Sequence, residues 1–199
     1  NQGLFDAPIV VNAAGPWAAD INRMAGLDLP LVTWRHDTMF VVRPKGTAAN
    51  HPAVIDFPNQ MYFRPEGGLT LVGLEDNNPL GESPDTNADL AHEGFVERAI
   101  DRLCRRVPLM ERGHLQSSHG GYDGLTPDQH PMLGPAGPDG FFLDCGHSGT
   151  GFKTAPAIGR CLAEWIVEGT PQMVDITPLS PDRFAAGNHI TGYYENIWT

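Results

Sequence analysis

The sequence predicts an α+β fold in which strands outnumber helices. Three observations support this prediction. Short runs rich in β-branched and aromatic residues follow one another directly, as they do in antiparallel sheets, and only a few segments space their apolar residues as a helix does. The 23 glycines and 18 prolines among 199 residues also indicate many turns and short strands.

The first part of the chain is predicted to be mostly β-structure. A short buried strand is expected at 9–13, and Gly15-Pro16 should open a helix that ends near Gly26, since proline is favoured at the first helical position. A long strand is expected at 31–44. Further strands are expected at 53–56, 60–64 and 69–74, with Pro65-Glu-Gly-Gly68 joining the last two as a hairpin, and a loop is expected at 77–84.

Helical spacing begins at about Thr86. Its apolar positions are Val96, Ala99, Ile100, Leu103 and Val107, and Pro108 should stop the helix. Strands are expected at 111–122 and 141–145. A last amphipathic helix is expected over 152–168, with Gly169 at its end.

Charge and composition exclude several classes of protein. The formal net charge of −11 argues against a nucleic acid or an anionic membrane as partner. No apolar run approaches the roughly 18 residues that a membrane span needs. The three cysteines include no C-x-x-C pair, so neither a disulfide scaffold nor a metal site is expected, and a cytoplasmic location is predicted.

The segment from Gly146 to Gly159 is the most informative part of the sequence. It follows a strand-like stretch and opens a helix, an arrangement that directs backbone N–H groups and a positive helix end at an anion. Lys153 lies in the first helical turn, where its charge opposes the helix dipole, which indicates a negative ligand. Phe152 interrupts the spacing of a phosphate loop, and a tight turn without a ligand is the other alternative.

This segment resembles the C-terminal signature of the D-amino-acid oxidase superfamily of flavoenzymes, of the sarcosine oxidase and glycine oxidase type. Val10–Ala18 resembles the strand–AAGPW–helix segment of that family, and Gly124–Gly134 resembles its TPD-x-HP segment. Leu179–Phe184 is similar to the usual ending of the family. The motifs occur in the family's order over about residues 9–160.

The resemblance implies a discontinuous domain organisation. Residues 28–122 would form an antiparallel substrate domain, and 1–27 with 123–184 would be the C-terminal part of a Rossmann-like FAD-binding domain, followed by a tail at 185–199. No G-x-G-x-x-G segment is present, so the N-terminal βαβ unit would be lacking. The chain is therefore expected to be a fragment that is inactive alone and does not retain FAD, with the missing N-terminal half as its partner.

The implied activity is FAD-dependent oxidation of the C–N bond of a small amino acid or N-methyl amino acid. The stretch before the TPD motif has no cysteine, which implies non-covalent FAD. Leu69-Thr-Leu-Val72 lacks the lysine that oxidases of this type use, so oxidase and dehydrogenase remain alternatives. Two other functions stay open: a non-catalytic subunit that completes a flavoprotein with another chain, and a phosphate-binding α/β domain.

The resemblance also implies site residues, although it identifies no catalytic group. The substrate-binding residues would be Lys153, at the substrate carboxylate, and Tyr62 and Arg64, on one face of a strand. Each has a structural alternative: Lys153 would be a surface lysine, Tyr62 would be packed in the sheet, and Arg64 would pair with Glu66. The cofactor-binding residues would be Ala13, Ala14, Gly15, Trp17, Gly149, Thr150, Gly151 and Phe152. Cys145 is expected to be buried rather than nucleophilic, because no carboxylate that would orient His147 is evident from the sequence.

Overall fold

The computed structural model describes residues 3–76 and 78–191 of the chain. It divides into two compact units. Within the described residues, the first unit comprises the segments up to Trp34 and from Asp123 onward, and the second unit comprises the segment from Arg35 to Tyr122. Both combine strands with helices, so the mixed α and β content predicted from the sequence is confirmed.

The second unit is built on a five-stranded sheet. Its order is β3-β4-β5-β2-β6, formed by β2 (Val32–Val42), β3 (Val54–Asp56), β4 (Met61–Glu66), β5 (Leu69–Leu74) and β6 (His114–Leu125). The pairs β3–β4, β4–β5 and β5–β2 are antiparallel, and the first residues of β2 and the last residues of β6 belong to the first unit. Gly67-Gly68 joins β4 to β5 as a two-residue hairpin, and Gly67 has a φ of +55° that glycine adopts without strain. Tyr62 pairs with Gly73 in this hairpin, and Gly73 pairs with Thr38 of β2.

One face of this sheet packs on α2 (Phe95–Arg106). Alternate strand residues and one side of the helix form the core, since strand side chains alternate between faces and helical ones recur every three or four residues. The buried members are Met39, Val41, Met61, Phe63, Val72, Leu74, Phe95, Ala99, Leu103 and Met110. The intervening strand residues, Tyr62 and Gly73 among them, therefore lie on the opposite face.

The first unit contains a three-stranded sheet of order β1-β8-β7. Its strands are β1 (Val10–Asn12), β7 (Met132–Pro135) and β8 (Phe141–Cys145); β1 pairs parallel with β8, and β7 pairs antiparallel with it. Helices pack on its two faces. On one face Leu143 and Cys145 contact residues of α1 (Ala18–Met24), and on the other Leu133 contacts Ile158 and Cys161 of α3 (Gly151–Glu168).

Most predicted elements are confirmed, with four differences. The first strand forms, but Val10 and Val11 are 48% and 40% exposed, so its prediction as buried is wrong. The helix expected from Thr86 begins only at Phe95, because Gly94 has a φ of +76° and breaks any helix before it. β7 and the short helix α4 (Asp182–Ala185) were not predicted.

No helix of residues 3–76 or 78–191 combines the length and apolar character needed to cross a membrane.

Candidate functional site

The three sequence motifs meet in the first unit around Gly124. A Cβ atom placed on Gly124 would lie 3.5 Å from the Cα of Gly146 and 3.5 Å from the carbonyl oxygen of Gly15. These glycines belong to the TPD-x-HP segment, the glycine loop and the AAGPW segment respectively. The three segments thus lie in contact, although the AAGPW segment is more than 100 residues from the other two in the sequence.

The glycine loop, residues 146–151, is fixed by hydrogen bonds to the TPD-x-HP segment. The Ser148 N–H donates to the carbonyl oxygen of Gly124 at 2.9 Å, and the Thr126 N–H donates to Ser148 Oγ at 3.3 Å. The Gly149 N–H donates to the carboxylate of Asp123. The position of the loop is therefore set by tertiary contacts as well as by its own turn.

Four of the predicted cofactor-binding residues lie at the start of α3, and the backbone N–H groups of two of them remain available among the described residues. The Gly149 N–H is taken by Asp123, and the Thr150 N–H donates to the carbonyl oxygen of His147 at 2.9 Å. Gly151 and Phe152 lie in the first turn of the helix, where backbone N–H groups have no intrahelical acceptor, and no acceptor for either lies in the described part of the chain. The helix end can thus accept an anionic group.

Lys153 is exposed in this first turn, and no carboxylate of the described segments pairs with it. Phe152 beside it is 100% exposed. Among the described residues, an unpaired cation thus lies next to free N–H donors at this end of the helix, where both can contact a carboxylate or another anion.

His147 has a carboxylate partner that the sequence did not reveal. Its Nε2 lies 2.9 Å from Oδ1 of Asp144, while its Nδ1 is buried without a hydrogen-bond partner among the described residues. Cys145 points the other way, into the core, with 0% exposure, and burial raises the pKa of its thiol to about 12. Cys145 is therefore a core residue, because a thiol with this pKa forms almost no thiolate at neutral pH.

The AAGPW segment follows β1 and is held by Asn12. The buried side chain of Asn12 donates to the Ala18 carbonyl oxygen at 2.9 Å and to Asn22 Oδ1 at 2.7 Å, and it accepts the Ala14 N–H at 3.2 Å. The predicted cofactor residues Ala13, Ala14, Gly15 and Trp17 therefore lie on a turn between β1 and α1 whose geometry Asn12 fixes.

Asp128 and His130 of the TPD-x-HP segment are structural in this fold. Arg183 of α4 donates from Nε to Asp128 Oδ2 at 2.7 Å and from Nη2 to Oδ1 at 2.9 Å, and both side chains are buried. Burial alone would raise the pKa of Asp128, but hydrogen bonds from Arg183 and from backbone N–H groups, together with the charge of Arg183, lower it to about 2. His130 donates its N–H to Asp128 Oδ1 at 3.2 Å.

Tyr62 and Arg64 lie in the second unit, on the sheet face opposite α2. The Tyr62 ring lies over Gly73, where a Cβ would be only 2.2 Å from Tyr62 Cζ. Arg64 forms an ion pair with Glu66, as the structural alternative for this residue predicted. Both side chains are on the face expected from strand alternation.

Glu75 and His36 complete a polar cluster on this face, which sequence reasoning missed. Oε2 of Glu75 is 3.9 Å from His36 Nδ1 and 3.5 Å from Asn78 Nδ2, and the Glu75 side chain is only 12% exposed. Burial raises the pKa of Glu75 to about 7. Burial and the charge of Glu75 raise the pKa of Tyr62 to about 12. No motif marks these residues, because the cluster forms only when β2, β4 and β5 pair.

Similar proteins include both curated relatives and solved structures. The chain is 36% identical to human mitochondrial sarcosine dehydrogenase over 179 residues, which is 86% of this chain and 19% of that protein. It matches the crystal structure of L-proline dehydrogenase from P. horikoshii with a TM-score of 0.84 at 27% identity, covering 96% of this chain and 50% of that one. Glycine oxidase from Geobacillus kaustophilus matches with a TM-score of 0.74 at 27% identity, over 88% and 45% of the two chains.

The chain spans half or less of the length of each of these proteins. The predicted cytoplasmic location is wrong, because the human sarcosine dehydrogenase to which the chain is similar is a mitochondrial protein. The absence of paired cysteines, from which that location was inferred, does not distinguish the cytoplasm from the inside of an organelle.

The motifs, the fold and these similarities agree with one further match. The family model described as "FAD dependent oxidoreductase" matches residues 1–165, which includes the AAGPW segment, the TPD-x-HP segment and the glycine loop. The chain therefore belongs to the DAO family of FAD-dependent oxidoreductases.

Proposed function

We propose that the chain is the C-terminal part of an enzyme that oxidises the C–N bond of a small amino acid or N-methyl amino acid with non-covalently bound FAD. The observation that carries this proposal is the convergence of three motif segments at Gly124, beside a helix start whose N–H donors and lysine have no partner among the described residues. The similarity to sarcosine dehydrogenase and glycine oxidase supports the substrate class.

The residues of the first unit fit the flavin end of such a cofactor. Ala13, Ala14, Gly15 and Trp17 would pass beside it, and small residues there permit close approach. The free N–H groups of Gly151 and Phe152, at the positive end of α3, would stabilise negative charge on one edge of the ring. Bound FAD would supply the hydride acceptor for the reaction.

Lys153 would bind the substrate carboxylate through its ammonium group. The lysine is exposed and without a carboxylate partner among the described residues, so binding would not require it to break an existing ion pair. Tyr62 would line the substrate pocket through its hydroxyl group. Arg64 is the weaker of the proposed substrate contacts, because Glu66 already pairs with it.

A second half of the protein would complete the FAD-binding domain. Parallel sheets are normally covered on both faces, yet Val10 and Val11 of β1 are 48% and 40% exposed, and β1 is the edge of its sheet. A βαβ unit with the pyrophosphate-binding glycines would cover this strand. Residues 1–27 and 123–184 would then belong to the FAD-binding domain and 28–122 to the substrate domain.

The test uses the chain joined to its N-terminal half, purified with FAD and mixed with sarcosine, glycine or proline without oxygen. We expect at least one of them to bleach the flavin absorbance, and comparing oxygen with an artificial acceptor would then distinguish an oxidase from a dehydrogenase. Lys153→Ala should raise the substrate concentration for half-maximal bleaching by about 10- to 100-fold, the value of one hydrogen bond to a charged group.

Lys45→Ala is the matched control, because Lys45 is the other lysine of the sequence and is exposed in the second unit. It should leave the half-maximal concentration unchanged. If no amino acid or N-methyl amino acid bleaches the flavin, the proposed activity is wrong. If bleaching occurs but Lys153→Ala behaves as Lys45→Ala does, only the role of Lys153 is wrong.

A further inference from the structure

A cluster of polar side chains, formed by Tyr62, Glu75 and His36, lies on the sheet face opposite α2. The pairing of Thr38 with Gly73 and of Gly73 with Tyr62 sets three strands side by side at this point. Because Gly73 has no side chain, the Tyr62 ring occupies the space above it. Glu75 is two residues beyond Gly73 on the same face, and His36 is two residues before Thr38, opposite Glu75.

The Glu75 side chain is 12% exposed in this cluster and has no strong cationic partner among the described residues. Its contacts among the described residues are His36 Nδ1 at 3.9 Å and Asn78 Nδ2 at 3.5 Å, both longer than a charge-assisted hydrogen bond. Two arginines of this unit form ion pairs with other carboxylates, Arg64 with Glu66 and Arg102 with Asp76.

A carboxyl group with these surroundings destabilises the folded state, but it can take part in proton transfer. A structural glutamate is normally paired or bound by several hydrogen bonds when it is this buried. Burial instead raises the pKa of Glu75 to about 7, which lets the group take and release a proton near neutral pH. The aromatic hydroxyl of Tyr62 is held protonated beside it, because burial and the Glu75 charge raise its pKa to about 12.

The reaction proposed above requires such a group. An amino acid or secondary amine arrives mainly as an ammonium ion, whose nitrogen has no lone pair. Hydride loss from the α-carbon forms a C=N bond with that lone pair, so one N–H proton must leave first.

We infer that Glu75, in the cluster that it forms with Tyr62 and His36, is the base that accepts this proton from the substrate ammonium group. The N–H bond breaks, its electron pair stays on nitrogen, and the proton forms an O–H bond on the Glu75 carboxylate. His36, whose Nδ1 lies 3.9 Å from Oε2 of Glu75, is placed to pass the proton on. The inference rests on the proposed amine oxidation, and it assigns a role to two residues that no motif identifies.

The experiment measures the rate of anaerobic flavin bleaching against pH, in the chain joined to its N-terminal half, for the wild type and for Glu75→Gln. The variant keeps the size and a polar group but cannot accept the proton. We expect its rate at pH 7 to fall by about 100-fold or more, the usual contribution of a general base. The gap should close as pH approaches the pKa of the substrate amine itself, because the substrate then arrives already deprotonated.

Two further variants separate a chemical role from a structural one. Glu75→Asp retains a carboxylate one methylene further back, so it should recover part of the rate lost in Glu75→Gln and keep the wild-type shape of the pH profile. Glu97→Gln makes the same change on the exposed side of α2 and should behave as wild type.

The outcomes are distinguishable. If wild type bleaches and Glu75→Gln matches it, or lags by a factor that does not change with pH, the inference is overturned while the proposed activity stands. If Glu75→Gln does not fold, Glu75→Ala replaces it, and a rate at pH 7 equal to that of wild type then overturns the inference. If wild type does not bleach with any amine, the proposed activity fails and the inference falls with it.

Discussion

At the scale of single residues, Glu75 shows how a site can oppose stability. Its side chain is 12% exposed, and burial raises its pKa to about 7 from 4.5. The folded state therefore binds a proton more tightly than the unfolded state does. A group whose pKa is higher in the folded state than in the unfolded state contributes its full stabilisation at pH values below the unfolded-state pKa. This contribution is lost as the pH rises through the folded-state pKa.

We therefore predict that Glu75→Gln is more stable than wild type at pH 8 and similar to it at pH 4. The difference at pH 8 should reach up to about 3 kcal/mol, from the size of the pKa change. Thermal unfolding of both proteins between pH 4 and pH 8 would measure it. Glu97→Gln, on an exposed helix face, should show a flat difference across this range, and a flat difference for Glu75→Gln would contradict the prediction.

At the scale of elements, the ion pair of Asp128 and Arg183 attaches α4 to the TPD-x-HP segment. The two residues are 55 positions apart, and Arg183 also donates from Nη1 to the carbonyl oxygen of Leu179 at 2.8 Å and from Nη2 to that of His130 at 2.8 Å. A buried pair of this kind adds little over an apolar replacement, but removal of one partner leaves an uncompensated charge.

Arg183→Ala should therefore destabilise the protein by about 3–5 kcal/mol. Arg160→Ala is the matched control, because it removes an exposed pair with Glu164 within α3 and should cost less than about 1 kcal/mol. Denaturant unfolding at pH 7 would compare them.

The effect of Arg183→Ala should also depend on pH. The pKa of Asp128 is lowered to about 2 in the fold, so its stabilisation is present above its unfolded pKa of 3.8 and is lost as pH falls towards 2. The gap between the variant and wild type should thus shrink over this interval. A gap that stays constant would mean that the pair acts through packing alone.

At the scale of the whole molecule, the first unit has an edge strand with exposed apolar side chains. Among the described residues β1 pairs with β8 on one side only, and its two valines are 48% and 40% exposed. If a second half covers them, the same substitution should have different effects in the chain alone and in the complete protein.

Val11→Ser tests this expectation. In the chain alone it should change stability by less than about 1 kcal/mol, because the side chain is 40% exposed. Joined to the N-terminal half, the protein should lose about 1–3 kcal/mol and bind less flavin, as measured by unfolding and by the ratio of flavin to protein absorbance. Met24→Ser, 81% exposed on α1, should be neutral in both forms. An equal effect of Val11→Ser in both forms would show that β1 stays uncovered.

The local elements could be predicted because local physics determines them. The bounds of β8 follow from one run of apolar residues, and α3 ends before Gly169, which has the left-handed conformation that glycine adopts freely. β7 escaped prediction because Pro131 precedes it, Pro135 is its last residue and Gly134 interrupts it. In the fold Gly134 is required, since a Cβ there would lie 2.5 Å from the Trp165 ring.

The sequence by itself determined the family, the order of the motifs and the cation at the start of α3. Each motif consists of residues that are close together in the chain. The tertiary structure alone decided which residues meet: Gly15, Gly124 and Gly146 around one point, and His36, Tyr62 and Glu75 across three strands. It also decided that Glu75 is buried. The physical reason is that strand register and burial depend on the whole fold, whereas turns, caps and motifs depend on a few neighbouring residues.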